Sequence, residues 1–428
     1  MAIFKELSAN DIKTARSFLS QLVDVIQNDI SGSSTRRKYQ VWVTGGIGPG
    51  VTSSLFQTVY DQDFTLQTSN AVFDLTVGLY VSGSTVQDIK TGEDASGKLL
   101  FPSTSLMMRE KVDIYRQYAQ TLLGTMDSQF TAPFNSTTTS DNINEAMFIS
   151  FKRLFARDQI KRETFAMKFY QTASESIANI PSAYNLNSTS ISGAFIYTDV
   201  GSAANKIQAF GGQVSNIVDS ANTARTVGLM FNDRGTVILD LNKILSGAQK
   251  CSGAIDAMAS NTASPAAGKA FIGSYTREGP ALGSGVHSRC RTNSTTTSAG
   301  NPNATFIPDL MTSASIDNIV DHLASARFQS GTLTGMTFQN VTNINSTLMF
   351  CRATADEFNY SSNPSYIDSN SRVVVIDEGQ EETQRSFTFV TSVGLYDAND
   401  NLLAVAKLSR PVEKNDEKDI TFRVRLDF

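Results

Sequence analysis

"TVGLMFNDRGTVILDL", residues 226–241, decides how the chain is read. Two short runs rich in Val, Ile, Leu and Phe flank Asn-Asp-Arg-Gly, a cluster of turn-forming residues, and this spacing predicts a β-hairpin. The phrase recurs. "TVGLY" stands at 76–80 before "VSGS", and "SVGLY" at 392–396 before "DANDN", with "LLAVAKL" at 402–408 as a return strand. Three hairpins of one architectural type are expected, too widely spaced for a solenoid. Gly78, Gly228 and Gly394 occupy the same place in each phrase, where a missing side chain permits a bulge or a close backbone approach.

Helices are expected elsewhere. In residues 11–30, Ile12, Ala15, Leu19, Leu22 and Ile26 recur at helical spacing, with Phe18 and Val23 widening the stripe, Asn10 as N-cap and Gly32 as stop. A second helix is expected over 104–123, through Met108, Val112, Tyr115, Ala119 and Leu122, closed by Gly124. Asn142 with Glu145 resembles a capping box opening a third, through Ile149 and Phe155. A basic helix is read over "KRLFARDQIKRETFAMK", in which Asp158 and Glu163 interleave with Lys152, Arg153, Arg157, Lys161 and Arg162. That mixture favours salt-bridged exposure over nucleic-acid binding. A short helix near 315–326 precedes a β tail, and the alternation Ile420, Phe422, Val424, Leu426, Phe428 predicts a final strand. The fold class is therefore α+β and β-rich, with several hairpin-based antiparallel sheets, an N-terminal helix and a few further helices. Four segments are expected: residues 1–125 with the N-terminal helix and a β-hairpin, an α+β middle over 126–250, a loop-rich insertion with a short helix over 251–330, and a β domain over 331–428.

The chain has 428 residues, a formal charge of −5 and only 18% charged side chains. No basic surface is offered to nucleic acid, and no apolar run approaches the ~18 residues that a membrane helix needs. Neither partner is expected. The start, "MAIFKELSANDIK", has neither the basic nor the apolar region of a signal peptide, and Cys251, Cys290 and Cys351 are too scattered for a disulfide framework. A soluble protein made in a reducing cytoplasm is expected. In that setting seven N-x-[ST] matches, at Asn135, Asn187, Asn293, Asn303, Asn340, Asn345 and Asn359, reflect a Ser/Thr/Asn-rich composition.

Candidates for chemistry are few. "VWVTGGIGPGVTSSLF" at 41–56 places Gly45, Gly50 and Thr52 at P-loop spacing, but Val51 stands where the phosphate-binding lysine belongs. "VVVIDEG" at 373–379 has the look of a magnesium-holding strand, yet it lies over three hundred residues downstream and is equally a strand leaving a core. His287 and Cys290 lack companion ligands for a metal. His322 beside Asp321 has the inventory of a general base, as well as that of an ordinary half-buried histidine. The carboxylates Glu378, Glu381 and Glu382 lie in a charge run that reads as solvated. No catalytic residue, cofactor or metal site is expected.

Residues 251–305 are rich in Gly, Ser, Thr, Asn and Pro, with few large apolar anchors. Such a stretch cannot offset about 1–2 kcal/mol of backbone entropy per ordered residue by itself, so it is expected to take its order from neighbours. Phe271, Ile272, Tyr275, Leu282 and Val286 are the expected assembly contacts.

The phrases "KYQVWVTGGIGPGVTSSLFQTVYDQDFTLQTSNAVFDLTVGLY" (38–80), "FGGQVSNIVDSANTARTVGLMFNDRGTVILDL" (210–241) and the C-terminal run ending "FRVRLDF" resemble virion structural proteins of T-even-like contractile-tailed phages, notably those of cyanobacteria. The resemblance implies a non-enzymatic baseplate wedge component in the virion, made in the bacterial host cytoplasm, whose partners are other tail proteins and copies of itself. It supplies no catalytic residues. A neck or connector protein, and a receptor- or glycan-binding tail appendage, are the alternatives, and a wall hydrolase is the enzymatic one.

Overall fold

The computed structural model describes residues 4–43, 50–87, 106–171, 194–245, 306–328, 333–361, 363–367, 369, 383 and 385–427. Among them the chain is strand-rich with antiparallel pairing, a β-rich α+β fold. Strand β1 (Ile12–Ile26) is followed by helix α1 (Gln27–Ser31), and then come β2 (Arg36–Val43), β3 (Gly50–Tyr60), β4 (Ala71–Leu79) and α2 (Ser84–Gln87). The long α3 (Leu106–Leu123) precedes β5 (Glu145–Phe151), α4 (Arg153–Ala156), β6 (Gln159–Ile160), β7 (Ala166–Tyr170) and β8 (Ala194–Thr198). Next are β9 (Ile207–Ala209), β10 (Gly212–Asp219), β11 (Asn222–Phe231), β12 (Thr236–Asp240), α5 (Leu241–Ile244) and α6 (Ile316–His322). The chain closes with β13 (Thr334–Ala353), β14 (Thr388–Tyr396), β15 (Leu402–Lys414) and β16 (Ile420–Asp427).

Two compact units divide these elements: Met1–Leu19 with Asn343–Phe428, and Ser20–Thr342. The division falls inside two strands, β1 and β13. In the large unit the strand order is β13-β7-β8-β10-β11-β12-β5-β4-β3-β2. Pairing spans residues 125 and 126, where a segment boundary is expected from the sequence, because Phe73–Leu79 of β4 pair with the whole of β5. The small unit contains the β13–β16 ladder and a separate two-stranded sheet, β14–β15.

The middle strands of the large unit are buried on both faces. Every residue of β12 is buried, and all but one of β5. Such strands lose the alternation that marks a half-solvated sheet and read as continuous apolar runs. Helix α3 lies against β4, and Gly78 is what allows it: a Cβ there would sit 3.0 Å from the Tyr115 amide nitrogen and 3.1 Å from the Lys111 carbonyl oxygen. Met108, Tyr115, Ala119 and Leu122 form its buried stripe as expected, and the helix ends at Gly124, whose φ of +90° suits glycine. A side chain on Gly228 would collide with backbone, its Cβ falling 2.2 Å from the Ile238 carbonyl oxygen across the β11–β12 pair. The repeated glycines at 78 and 228 are thus close-approach sites.

The hairpins expected at 226–241 and 392–408 are present, as are the helix near 315–326 and the final strand. Four expectations are corrected. The N-terminal helix is a strand to Ile26, with only Gln27–Ser31 helical. Among the described residues its apolar stripe is left largely uncovered: Ile12, Phe18, Leu19, Leu22 and Ile26 are all exposed, while Val23 packs against the core. A helix gains most of its stability from burying such a face, so here the backbone ladder to β13 prevails. The helix opening at Asn142 is strand β5, because a short apolar run, "EAMFISF", fits a doubly covered strand between β4 and β12. The basic helix is one turn, Arg153–Ala156, stopped by positive φ at Arg157 and again at Glu163; Lys152 pairs with Asp74 at 2.5 Å and Arg153 with Asp158 at 3.7 Å. "TVGLY" at 76–80 does not turn back as a hairpin, since its polar turn runs into α2 and its strand pairs with β3 and β5.

These glycine geometries separate two substitutions. Gly228→Ala is expected to lower the unfolding free energy by about 3 kcal/mol, the upper end of the overpacking range. Gly394→Ala, whose Cβ would meet only the movable rings and methyls of Tyr396 and Leu402, is expected to cost under about 1 kcal/mol. Urea unfolding followed by far-UV circular dichroism measures both, and equal losses would contradict the assignment.

Candidate assembly surface

All of the packed apolar core lies in the large unit, from Val25 to Phe338. In the small unit only three apolar side chains among the described residues are buried: Ala353, Leu395 and Val424. Polar contacts hold it together instead. Lys414 is fully buried and its Nζ donates to the Ala355 carbonyl at 3.1 Å, Asn359 Oδ1 at 2.7 Å and the Asn415 carbonyl at 2.7 Å. Glu357 accepts from Lys5 at 2.5 Å and from the Thr354 amide, and these bonds, the Lys5 one foremost, hold its carboxyl down to about 2. Arg352 meets Asp419 at 2.6 Å beside the eight-pair ladder of β13 and β16.

The small unit also turns large apolar side chains outward. Phe4, Ile12, Phe18, Leu19, Tyr360, Phe389, Tyr396, Leu402, Leu403 and Val405 are exposed, Phe18 by 71% and Leu403 by 67%. The β14–β15 hairpin carries half of them. Its register sets Gly394 opposite Val405 and Tyr396 opposite Leu402, so Tyr396, Leu402 and Val405 share one face, on which Tyr396 and Leu402 close over Gly394. Phe4 packs edge-on against Tyr396, ring centroids 5.0 Å apart. The hairpin tip is rigid: Asp397 accepts from the amides of Asn399 and Asn401 and from the Asn401 side chain, and Asp400 takes the left-handed conformation with φ +62°. Near the open end the ladder slips between Val390 and Ser392, where β15 carries Pro411 and so lacks an amide hydrogen.

Large side chains exposed on a unit with so few buried apolar residues among those described make this face the candidate assembly surface. Hydropathy alone does not reveal this surface. Phe389, Tyr396, Leu402 and Val405 read as core-forming in the sequence, and only the thinness of the sheet leaves them exposed.

The expected anchors Phe271, Ile272, Tyr275, Leu282 and Val286 lie outside the described residues, as do His287, Cys290, Glu378, Glu381 and Glu382. Gly50 and Thr52 lie in β3, antiparallel to β2, with Val43 opposite Gly50. A P-loop delivers its chain into a helix N-terminus, and here a strand stands in that place. His322 and Asp321 do not work together. Asp321 binds Arg36 at 2.9 Å and Lys38 at 2.5 Å, whereas the His322 ring is buried, accepts from Arg327 at 3.2 Å through Nε2 and lies beside Phe306. Burial, then the Arg327 charge, holds the ring's pKa well below the usual value, so it is neutral.

Other buried ionisable groups are bound into the large unit. Glu145 accepts from Thr85 and Asn242, and burial pushes its carboxyl up. Asp240 caps α5 by accepting from the Asn242 amide, and burial raises it to about 7. Among the described residues no group of three or more His, Cys, Asp or Glu is placed to hold a metal ion, and no helix is long and apolar enough to cross a membrane. No family model, curated protein or solved structure matches the chain.

Lys111 gives a test of how these buried charges bear on stability. Its Nζ donates to the Met311 carbonyl at 2.7 Å, and burial, partly offset by Glu110, lowers its pKa from 10.5 to about 7. Between those values the unfolded chain holds a proton that the folded one has released, so stability rises with pH; below about 7 both states are protonated and the burial cost is constant. The stability of Lys111→Met relative to the parent is therefore expected to grow as pH falls from 10.5 to 7 and then level off. At about 1.4 kcal/mol per tenfold change in protonation, the effect is bounded at roughly 5 kcal/mol. Denaturation at several pH values measures it, and a pH-independent difference would refute the buried-charge account.

Proposed function

We propose that the chain is a structural subunit of a contractile-tailed phage particle, a baseplate component that holds neighbouring tail proteins, and that it carries no enzymatic activity. The observation that carries this reading is the small unit: three buried apolar residues against ten exposed large ones. A surface of that kind costs solubility unless another molecule covers it, and a permanent assembly is where such a cover is always present. The phage-like phrases at 38–80, 210–241 and the C-terminus point to the kind of assembly. Its exposed aromatic and aliphatic side chains match the composition of interface cores, where such groups dominate contact energy.

Cross-linking mass spectrometry of intact virions tests the reading. Links from the hairpin at Lys407, which is exposed, to another tail protein are expected, and a chain absent from purified particles would overturn it. A joint Leu402→Ser, Leu403→Ser, Val405→Ser variant should keep the thermal transition of the large unit, whose core it does not touch, and lose at least tenfold in incorporation into particles. Undiminished incorporation would show that the hairpin face is not the contact.

A further inference from the structure

We infer that Glu145, Asp240 and Asn242 form a proton-operated latch that fastens the short helices α5 and α2 to the ends of β5 and β12 and slackens when its proton leaves. It belongs to the large unit and is independent of the assembly reading. Glu145 opens β5 and Asp240 closes β12, and the register that sets Asp240 opposite Ala146 brings these two strand ends side by side. Both side chains are buried, the residues being 1% and 2% exposed. Asn242 of α5 bonds to both, its backbone amide donating to Asp240 Oδ1 at 2.9 Å and its side-chain amide to Glu145 Oε2. Thr85 of α2 donates to Glu145 Oε1, so the second helix is tied to the same carboxylate.

Among the described residues no cation bonds to either carboxylate. Lys243 of α5 sends its Nζ to the Ala132 carbonyl at 2.6 Å and to Asp141 at 3.1 Å, and acts on Asp240 only through space. Arg225 of β11 pairs with Asp219 at 3.3 Å and donates to the Lys243 carbonyl. On α3, Lys111 is turned to the Met311 carbonyl, and the Tyr115 hydroxyl donates to the Ile143 carbonyl at 2.8 Å. Burial foremost, with the neighbouring Tyr80, Asp240 and Glu145 adding to it, holds Tyr115 neutral. β4 sets Leu79 opposite Glu145, and α2, Ser-Thr-Val-Gln, has no charged side chain. Two carboxylates removed from water and given no cation cannot both ionise at low cost. Burial raises both, and Asp240, which also meets the Glu145 charge, is brought to about 7. From the ordinary 3.8 of Asp240 up to about 7, the closed latch keeps a proton that the opened one releases, so each rise in pH favours opening. Above about 7 both forms have lost it and the dependence ends.

Hydrogen exchange read by mass spectrometry on the full-length chain, corrected for the intrinsic pH dependence of exchange, tests the latch. Protection of the α5 amides is expected to fall by about tenfold per pH unit up to about pH 7 and then level off. Amides of the β10–β11 ladder, which open with the whole unit, should change less. Asp240→Asn, fixed in the neutral state, should flatten the α5 profile. Glu145→Gln removes the neighbouring charge, while Asn242 can turn its amide oxygen to the new donor, and should move the midpoint toward acid. Far-UV circular dichroism confirms that both variants fold. A flat parent profile overturns the inference. So does a profile that stays as steep in Asp240→Asn, a midpoint that Glu145→Gln leaves in place, or a β10–β11 ladder that changes in step with α5. Should Asp240→Asn fail to fold, the parent profile and Glu145→Gln decide the matter.

Discussion

Burial of strands on both faces is the constraint on which the rest of the molecule depends. β5, β12, most of β4 and β11 from Thr226 onward sit between covering elements, so their side chains are largely apolar on either side and their backbone groups must find partners within the sheet. Close packing follows from this. Gly78 admits α3 to within contact of β4, and Gly228 lets β11 meet β12 without a side chain between them. The buried charges obey the same constraint, since Glu145, Asp240 and Lys111 each sit at the edge of this block with a hydrogen-bond partner. A buried ion without one would cost several kcal/mol.

Because the large unit absorbs nearly all of the buried apolar surface, the small unit must be held by something else. Its ladders, Lys414 and the Lys5–Glu357 and Arg352–Asp419 pairs do this locally. Exposed ion pairs contribute little each, about 0–1 kcal/mol. They can fix a geometry without replacing a core.

What the sequence disclosed follows the same division. Hairpins with a turn cluster between two apolar runs were legible at 226–241 and 392–408, since turn chemistry is local. The helix over 104–123 was legible because its stripe is long and its stop is a glycine. β1 and β5 were misread for opposite reasons. An apolar stripe at helical spacing over residues 11–30 has no surface to bury against, and a short apolar run at 145–151 fits either state until its neighbours are known. The exposed face of the hairpin was invisible for a related reason: the same alternation in β14 and β15 describes a half-buried strand whether or not a cover is present. The insertion at 251–305 drew attention by its composition, whereas the exposed hairpin reads like ordinary core.

The distribution of charge over strand edges bears on specificity. A chain with several open edges can pair wrongly in as many ways as it has edges, and charge is the cheapest means of excluding most of them. Lysines and arginines on β2, β15 and β16 repel a like edge and tolerate a complementary acidic one. An uncharged β14 has no such electrostatic guard, and on its Gly394 face the Tyr396 ring and Leu402 of the same hairpin fill the space that the missing side chain would take. The irregularity between Val390 and Ser392, with Pro411 on the facing strand, is then the guard this hairpin has where β14 lacks charge, since a bulge interrupts a flat edge as a charge repels one.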